Sequence, residues 1–506
     1  MFECVRTFRS CRFCESIPWL LIALFNTLTL HSLHSQVPCP VTWGATTQIS
    51  NTTFSAFVPK VVVVGDTVHV TYRAGHLYYQ HSTDAGRTWS APFVVVPAES
   101  LSGQIWNRPF TANSNNLYVV WGNSSPSGAI TSVKIRRSTD AGETWLDPQT
   151  LIRNSGLFYY EAPKVAAWGQ HVYIALRYSG QGHVFFMHST DNGVMWDSVR
   201  QITFGTPGHG AWDVTPSALG VHIVGTRNDQ PSGVEIGYLV STDHGLTWSQ
   251  SQVLSAIDNY QAWGPNVAAD DAGNVYVSWQ DAKYGSIGGF AGAVLLRRSS
   301  DNGQTWMPEV QVSPLASARF STISSVDNRV HVVWDDERNG FQDGTVNHRG
   351  SSDGGLTWCD EQVLGGPLRR ALDASVAATQ QCLYVAWSSD RSTPGDTAHV
   401  FIRRGDVITS MREGDRTLPA KFTVSPFYPN PFNPSTRVQY TVPYQGRLII
   451  TVYDLLGRKV KDLFNRIQSP GVFEVDFDGS MFASGVYYVR FQFNEQMTTK
   501  AVVLMR

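Results

Sequence analysis

An eight-residue segment that returns six times constrains this chain more than any other feature. It reads STDAGRTW from Ser82 to Trp89, STDAGETW from Ser138 to Trp145, and STDNGVMW from Ser189 to Trp196. It continues as STDHGLTW from Ser241 to Trp248, SSDNGQTW from Ser299 to Trp306, and SSDGGLTW from Ser351 to Trp358. The central aspartates are Asp84, Asp140, Asp191, Asp243, Asp301 and Asp353, at intervals of 51 to 58 residues. Self-similarity at that period marks a repeat architecture in which each copy is one supersecondary unit.

The box has the chemistry of a tight hairpin. An Asp carboxylate accepts hydrogen bonds from backbone N–H groups just after it, and the Gly two places on takes positive φ without a Cβ clash. The Ser and Thr hydroxyls satisfy more of the turn, and the Trp offers a large apolar body to wedge between units. In the third copy Met195 replaces the threonine, which costs that turn a hydroxyl. Each box holds one recurring carboxylate whereas Ca²⁺ needs roughly six to eight oxygens, so the box reads as a turn and no metal is expected.

Four alternating stretches surround each box. In the second repeat they are RPFTANS, LYVVWGN, SVKIRRS and DPQTLIR; in the fifth they are WGPNVAA, VYVSWQD, AVLLRRS and PEVQVS. Four short strands per unit predict an all-β protein built as a β-propeller. After the sixth box the pattern runs through LDASVAA, LYVAWSS and HVFIRRG, then stops at Gly405-Asp406 without a box. The missing fourth strand is expected at the other end of the chain, in TWGATTQIS from Thr42 to Ser50. The expectation is a seven-bladed ring over 40–408, with six blades as the alternative, closed by its own N-terminus so that no sheet edge is exposed.

This topology places the boxes at the same end as the turn between strands one and two. Function is therefore expected at the opposite end, where strand one begins. The 43 Gly, 25 Pro and 16 Trp suit a turn-rich, aromatic β protein, and a net charge of −2 gives no reason to expect nucleic acid. Residues 1–35 have the layout of an export signal, with Arg6, Arg9 and Arg12 before an apolar run from Ile17 to Leu30 that is too short for a stable membrane span. Beyond it stand Cys39, Cys359 and Cys382, with no CxxC pair for structural zinc. Cys359 and Cys382 fall on the box side of adjacent units and are expected to form a disulfide, leaving Cys39 free or as an alternative partner.

A polar linker over 409–421 leads to 422–506, whose strands RVQYTVP, LIITVYD, VFEVDF, VYYVRFQF and TTKAVVLM predict a small Ig-like antiparallel sandwich.

The six boxes, S-x-D-x-G-x-T-W in five copies and with Met195 for the threonine in the third, resemble the Asp-box, or BNR, repeats of the sialidase-like propeller superfamily. The tail, with FYPNPFNPST, VYDLLGRKV, SGVYYVRF and the final KAVVLMR, resembles the type A sorting domain of the bacterial type IX secretion system. That likeness implies export through the outer membrane, release or attachment at the cell surface, and the secretion machinery as a partner. Sialidases bind a substrate carboxylate with three arginines and use a Tyr activated by a Glu, with an Asp as acid and base; no cofactor is implied.

Residues at strand-one entrances that could meet those demands are Arg108, Tyr160, Glu161, Asp213, Arg319 and Arg370. Tyr160, Glu161 and Asp213 would be catalytic, and the arginines would hold the ligand. Trp106, Trp212 and Trp263 lie near the same entrances and offer flat faces for sugars. The loops WQDAK, WDDERNG and WSSDR bring Asp281, Asp336, Arg338, Asp390 and Arg391 to this end, where tying neighbouring units is the simpler role; Asp335, Asp336, Glu337 and Asp343 could together hold a cation, a solvated loop being the simpler reading. Two functions are consistent with these residues: binding an extracellular glycan or protein, or exo-glycosidase action of sialidase type.

Overall fold

The computed structural model describes residues 39, 41–101, 109–124, 130–153, 160–178, 183–203, 210–229, 233–284, 292–313, 317–338, 343–365, 370–389, 397–407, 421–442, 446–468, 471–494 and 496–505. The leader expected over 1–35 lies outside them, as does the linker expected over 409–421 apart from Lys421. Strands dominate; Ala98–Ser100 and Ala282–Tyr284 form short 3-10 turns. No helix among the described residues is long and apolar enough to cross a membrane.

Seven four-stranded antiparallel sheets account for residues 41–407. Their first strands are Phe57–Val64, Phe110–Asn113, Tyr160–Trp168, Gly210–Ser217, Ala262–Ala269, Ala318–Val326 and Ala371–Ala378, and the sheets are numbered here in that order. Each first strand packs against the first strand of the next sheet, and Ala371–Ala378 returns to Phe57–Val64. The result is a closed β-propeller. Residues from all seven first strands line a single axial cavity of ≈ 330 Å³.

The closing strand lies where the sequence places it. The seventh sheet contains Ala371–Ala378, Cys382–Ser389 and His399–Val407, and its outer strand is Val41–Gln48 from the other end of the chain. Val41 pairs with Val407 and Gln48 with Phe401. The predicted Cys359–Cys382 disulfide is not formed. Cys39 bonds Cys359 instead, with Cα atoms 4.7 Å apart and 320 residues between them, and Cys382 is free. The reason is that the closing strand leans on the sixth sheet as well as pairing in the seventh: Trp43 Nε1 donates to Gln362 Oε1 at 2.7 Å, and Val41 packs with Val333, Val346 and Leu364. Cys39 thus arrives beside Cys359, while Cys382 faces Asp406 across the seventh sheet.

Inside each box the bonds reach further than simple Asx geometry. In the first, Ser82 Oγ donates to Asp84 Oδ1 at 2.8 Å and accepts from the Gly86 amide at 2.8 Å. Asp84 then accepts from the Thr88 amide at 2.8 Å and the Thr88 hydroxyl at 2.7 Å. Two consecutive residues turn left-handed, Ala85 at φ 60° and Gly86 at φ 85°, so the turn needs more than its glycine. In the third box the Asp191 carboxylate has the amides of Val194 and Met195 but no residue-195 hydroxyl, and Met195 is exposed.

The box tryptophans pack at the junctions between sheets. Trp196, for example, joins Tyr118, Val120 and Ile135 of the second sheet to Val165, Ile174 and Leu176 of the third. A tyrosine of the preceding sheet also receives each box. Tyr79 Oη donates to Ala141 O at 3.1 Å, and Tyr173 Oη lies 3.0 Å from His244 Nδ1. Tyr118, Tyr238, Tyr276 and Tyr384 lie against Gly193, Gly303, Gly354 and Gly86. The sixth sheet, which precedes the boxless seventh, has His331 and His348 in the corresponding places, with ring nitrogens 3.1 Å apart.

Residues 423–504 form two further sheets of three and four strands. Val438, Tyr440, Leu448, Ile450, Phe477 and Phe491 fill the core between them. The last strand, Gln496–Leu504, is an edge strand, and its outer side is partly covered. Asn430 accepts from the Val503 amide at 2.9 Å and donates to Ala501 O at 3.2 Å. Phe432 then exchanges backbone bonds with Val503 O and the Met505 amide, at 2.9 and 3.0 Å.

Candidate functional site at the strand-one entrances

The boxes and the strand-one entrances lie on opposite rims. Box amides bond the turn between strands one and two of their own sheet, as in Ala141 to Asn115 O at 2.8 Å and Asn302 to Gly273 O at 2.9 Å. The far rim is therefore built from the starts of the first strands.

Six of those strands carry a register shift near their start, between Phe57 and Lys60, Glu161 and Lys164, Ala211 and Asp213, Trp263 and Asn266, Arg319 and Thr322, and Leu372 and Ser375. A bulge bends the strand and re-aims the residue beside it. Val58, Phe320 and Asp373 hold left-handed backbone within these bulges, at φ 51°, 43° and 60°. Such conformations are costly without glycine and persist only where the surroundings enforce them.

The residues after the bulges form a polar collar at the axial cavity. Asp213 takes the Val214 amide at 3.0 Å and reaches the fifth sheet through the Val267 amide at 3.1 Å. Asn266 donates to Ser321 O of the sixth sheet at 2.8 Å, and Thr322 donates to Ala374 O of the seventh at 3.3 Å. Ser375 accepts the Val61 amide of the first at 3.2 Å. Side chains from four consecutive sheets thus bind each one to the next, and Lys60 and Lys164 line the same cavity.

The predicted site residues fall into distinct settings. Both Asp213 carboxylate oxygens accept backbone amides. Arg319 Nη1 bonds Glu337 Oε1 at 3.0 Å, and Arg370 is half-buried at φ 40° just before its strand. Trp263 is half-buried in its strand, opposite Gln280. Tyr160 and Glu161 are placed by their backbone, opposite Tyr178 and Arg177, and Trp212 lies within the fourth-sheet bulge. Trp106, Arg108, Asp390 and Arg391 lie outside the described residues.

Of the acidic loop residues, Asp335 ties one sheet to the next, whereas Asp281 and Asp336 bond within their own sheets. Asp335 accepts the amides of Asp373 and Ala374 in the next sheet, at 2.8 and 3.2 Å. Asp281 and Asp336 each accept the indole N–H two residues before them, from Trp279 and Trp334, at 3.2 Å. Burial pushes the Asp281 carboxyl above its usual range; Asp336 is just as enclosed, but its bonds from Arg338 outweigh burial and hold it low. Glu235 is raised, first by burial and then by Asp258 and Asp281. Among the described residues no group of three or more His, Cys, Asp or Glu is arranged to hold a metal ion.

Sequence reading missed the exposed aromatics of this rim. Phe57 and Phe320 lie in the bulges of the first and sixth sheets, Tyr260 leads into the fifth, and Tyr284 follows its second strand. Phe320 is 48% exposed and Tyr260 52%, large values for rings with so much apolar surface. Lys283 lies 5.2 Å above the Tyr284 ring and pairs with Glu309. The available signal was an aromatic residue just ahead of the polar collar residue.

Comparison with known proteins agrees with both halves of the chain. A BNR repeat-like domain matches residues 76–321, and a secretion system C-terminal sorting domain matches residues 426–505. No curated protein matches the sequence. Among solved structures, a protein of unknown function from Dyadobacter fermentans DSM 18053 is 16% identical, with 73% of this chain and 100% of that chain covered and a TM-score of 0.45. A PL25 ulvan lyase bound to -[GlcA(1-4)Rha3S]- is 13% identical over 70% and 95%, with a TM-score of 0.49. The phage phi92 endosialidase is 12% identical over 92% and 87%, with a TM-score of 0.43. At these scores the likenesses carry nothing about substrate.

Proposed function

We propose that this chain, which carries a BNR repeat-like domain and a type IX sorting tail that directs it to the cell surface or beyond, binds an extracellular glycan on the rim opposite its Asp boxes. One observation carries the reading: exposed rings at Phe57, Tyr260 and Phe320, with Trp263, stand at the starts of strands that line one axial cavity. Flat apolar faces above a polar collar suit a sugar, whose ring faces are apolar and whose hydroxyls need partners. The commitment of Asp213 to two backbone amides favours binding over acid–base work by that residue.

A glycan array probed with the purified mature protein tests this. The expected result is binding to a restricted set of extracellular glycans, weakened about tenfold or more by Trp263→Ala or Phe320→Ala, the loss of one good stacking contact. Retention of full affinity in both variants would remove the rim from the account. Turnover of a fluorogenic sialoside, abolished by Tyr160→Phe, would replace binding with exo-glycosidase action.

A further inference from the structure

In five of the six boxes a backbone carbonyl accepts a bond from a side chain of the preceding sheet. Tyr79 donates to Ala141 O at 3.1 Å, Arg137 to Asn192 O at 2.8 Å, Gln252 to Gly303 O at 3.1 Å, and Arg298 to Gly354 O at 2.9 Å. Arg200 makes the corresponding bond to Gly245 O. Among the described residues no such donor reaches Ala85 or Gly86 in the first box.

The side chain placed to serve that box is Arg404. It stands one residue before the position of the box serine, as Arg137 and Arg298 do in the second and fifth sheets. The seventh sheet has no box, however, and Asp406 follows. Arg404 turns to it, with Nε and Nη2 at 2.9 and 2.8 Å from Oδ1. A cavity of ≈ 390 Å³ is left between the seventh sheet and the first box, lined by Ala85, Gly86, Arg87, Tyr384, Arg404 and Asp406. Arg87 is exposed and makes no ion pair with a described residue.

We propose that this cavity binds a small hydroxy acid, a sugar acid of the uronate class. Its carboxylate meets Arg87 and the Arg404 N–H groups that Asp406 leaves free, because a planar guanidinium matches a carboxylate. A ligand hydroxyl donates to the unserved carbonyl of the first box, and the Tyr384 ring forms a wall beside it. The volume falls within the range of small-molecule sites. A ligand there replaces the missing tie and clamps the junction where the two ends of the ring meet, so binding raises folding stability. The cavity lies on the box rim and does not depend on the glycan surface proposed above.

Titration calorimetry and thermal melts of the mature full chain with D-glucuronate test the proposal, with D-glucose and acetate as separate arms. Expected are saturable binding and a rising Tm with glucuronate, and neither with glucose or acetate. Arg87→Ala should weaken binding about tenfold or more, the loss of a charge-assisted contact. Asp406→Asn, which frees Arg404 to reach the first box, should raise Tm without ligand and shrink the ligand-induced shift. Trp263→Ala, expected to weaken glycan binding on the opposite rim, should leave the glucuronate affinity and the size of the ligand-induced Tm shift as they are in the parent chain. No binding up to the solubility limit, equal binding of glucose or acetate, or loss in Trp263→Ala with retention in Arg87→Ala would each overturn the assignment.

Discussion

Ser50 Oγ accepts the Val400 amide at 2.8 Å across 350 positions of sequence. The same bond closes three other sheets, from Val184 to Thr203 at 2.9 Å, Ile236 to Ser255 at 2.9 Å and Val294 to Ser313 at 2.7 Å. Residues at the start of the chain therefore take the place that other units fill from within.

The Cys39–Cys359 bond holds this closing segment through a loop of 320 residues. Reduction, or Cys39→Ala, should lower unfolding free energy by about 2–5 kcal/mol, the usual cost of losing a native disulfide. Denaturant melts with and without reductant measure it. Cys382→Ser is the control and should sit near wild type, because burial holds that thiol above its usual pKa and it bonds no other cysteine.

Met195→Thr should stabilise the third box by about 1 kcal/mol, since the new hydroxyl can reach the Asp191 carboxylate as Thr357 reaches Asp353 at 2.6 Å. Chemical denaturation compares the two proteins; an unchanged midpoint would mean that the extra hydroxyl is as well served by water. The fifth box predicts the sign with pH. The Thr305 hydroxyl and amide hold Asp301 at about 2, below an unfolded carboxyl, so its contribution is present above pH ~4 and fades as pH falls toward 2. Thr305→Val should shift that loss to higher pH.

Buried histidines act in a different pH window. Burial holds His222 and His348 neutral, with pKa about 4 against 6.5 when unfolded. Above pH 6.5 neither state is protonated and the groups contribute nothing to the pH dependence; below it the unfolded chain takes the proton first, and stability falls until about pH 4. Each group can cost on the order of 3 kcal/mol. Proton NMR of His222 and melts between pH 7 and 4.5 test this; a His222 titration near 6.5 would defeat it.

Gly303→Ala and Gly169→Ala separate close approach from backbone strain. Both glycines are left-handed, at φ 81° and 57°, but a Cβ at Gly303 would strike Tyr238 Oη whereas one at Gly169 meets nothing within 4 Å. The Gly169 change should cost about 1 kcal/mol, the strain alone. The Gly303 change should cost at least about 1 kcal/mol more through forced repacking. Tyr238→Phe in the Gly303→Ala background should recover part of the difference.

The ring was largely legible because the box sets the period, and the period shows where a strand is missing. The tyrosine pattern was also in plain sight: LYVV, VYIA, VYVS and LYVA carry it in the second strand, while VHVT and VHIV leave it to Tyr79 and Tyr238 in the third. The disulfide was not legible, because strand pairing does not reveal that Val41–Gln48 leans on a second sheet. Nor were the bulges, since alternation alone does not identify the extra residue. That is why the brace that Asp213 forms between sheets, and Phe320 at the rim, escaped notice.

Among the described residues Val41–Gln48 has no strand to pair with until synthesis reaches His399–Val407. A ribosome-bound fragment ending before that strand cannot assemble the last sheet, however many earlier units it has completed. Locking of the ring is thus deferred until nearly the whole wheel has been synthesised.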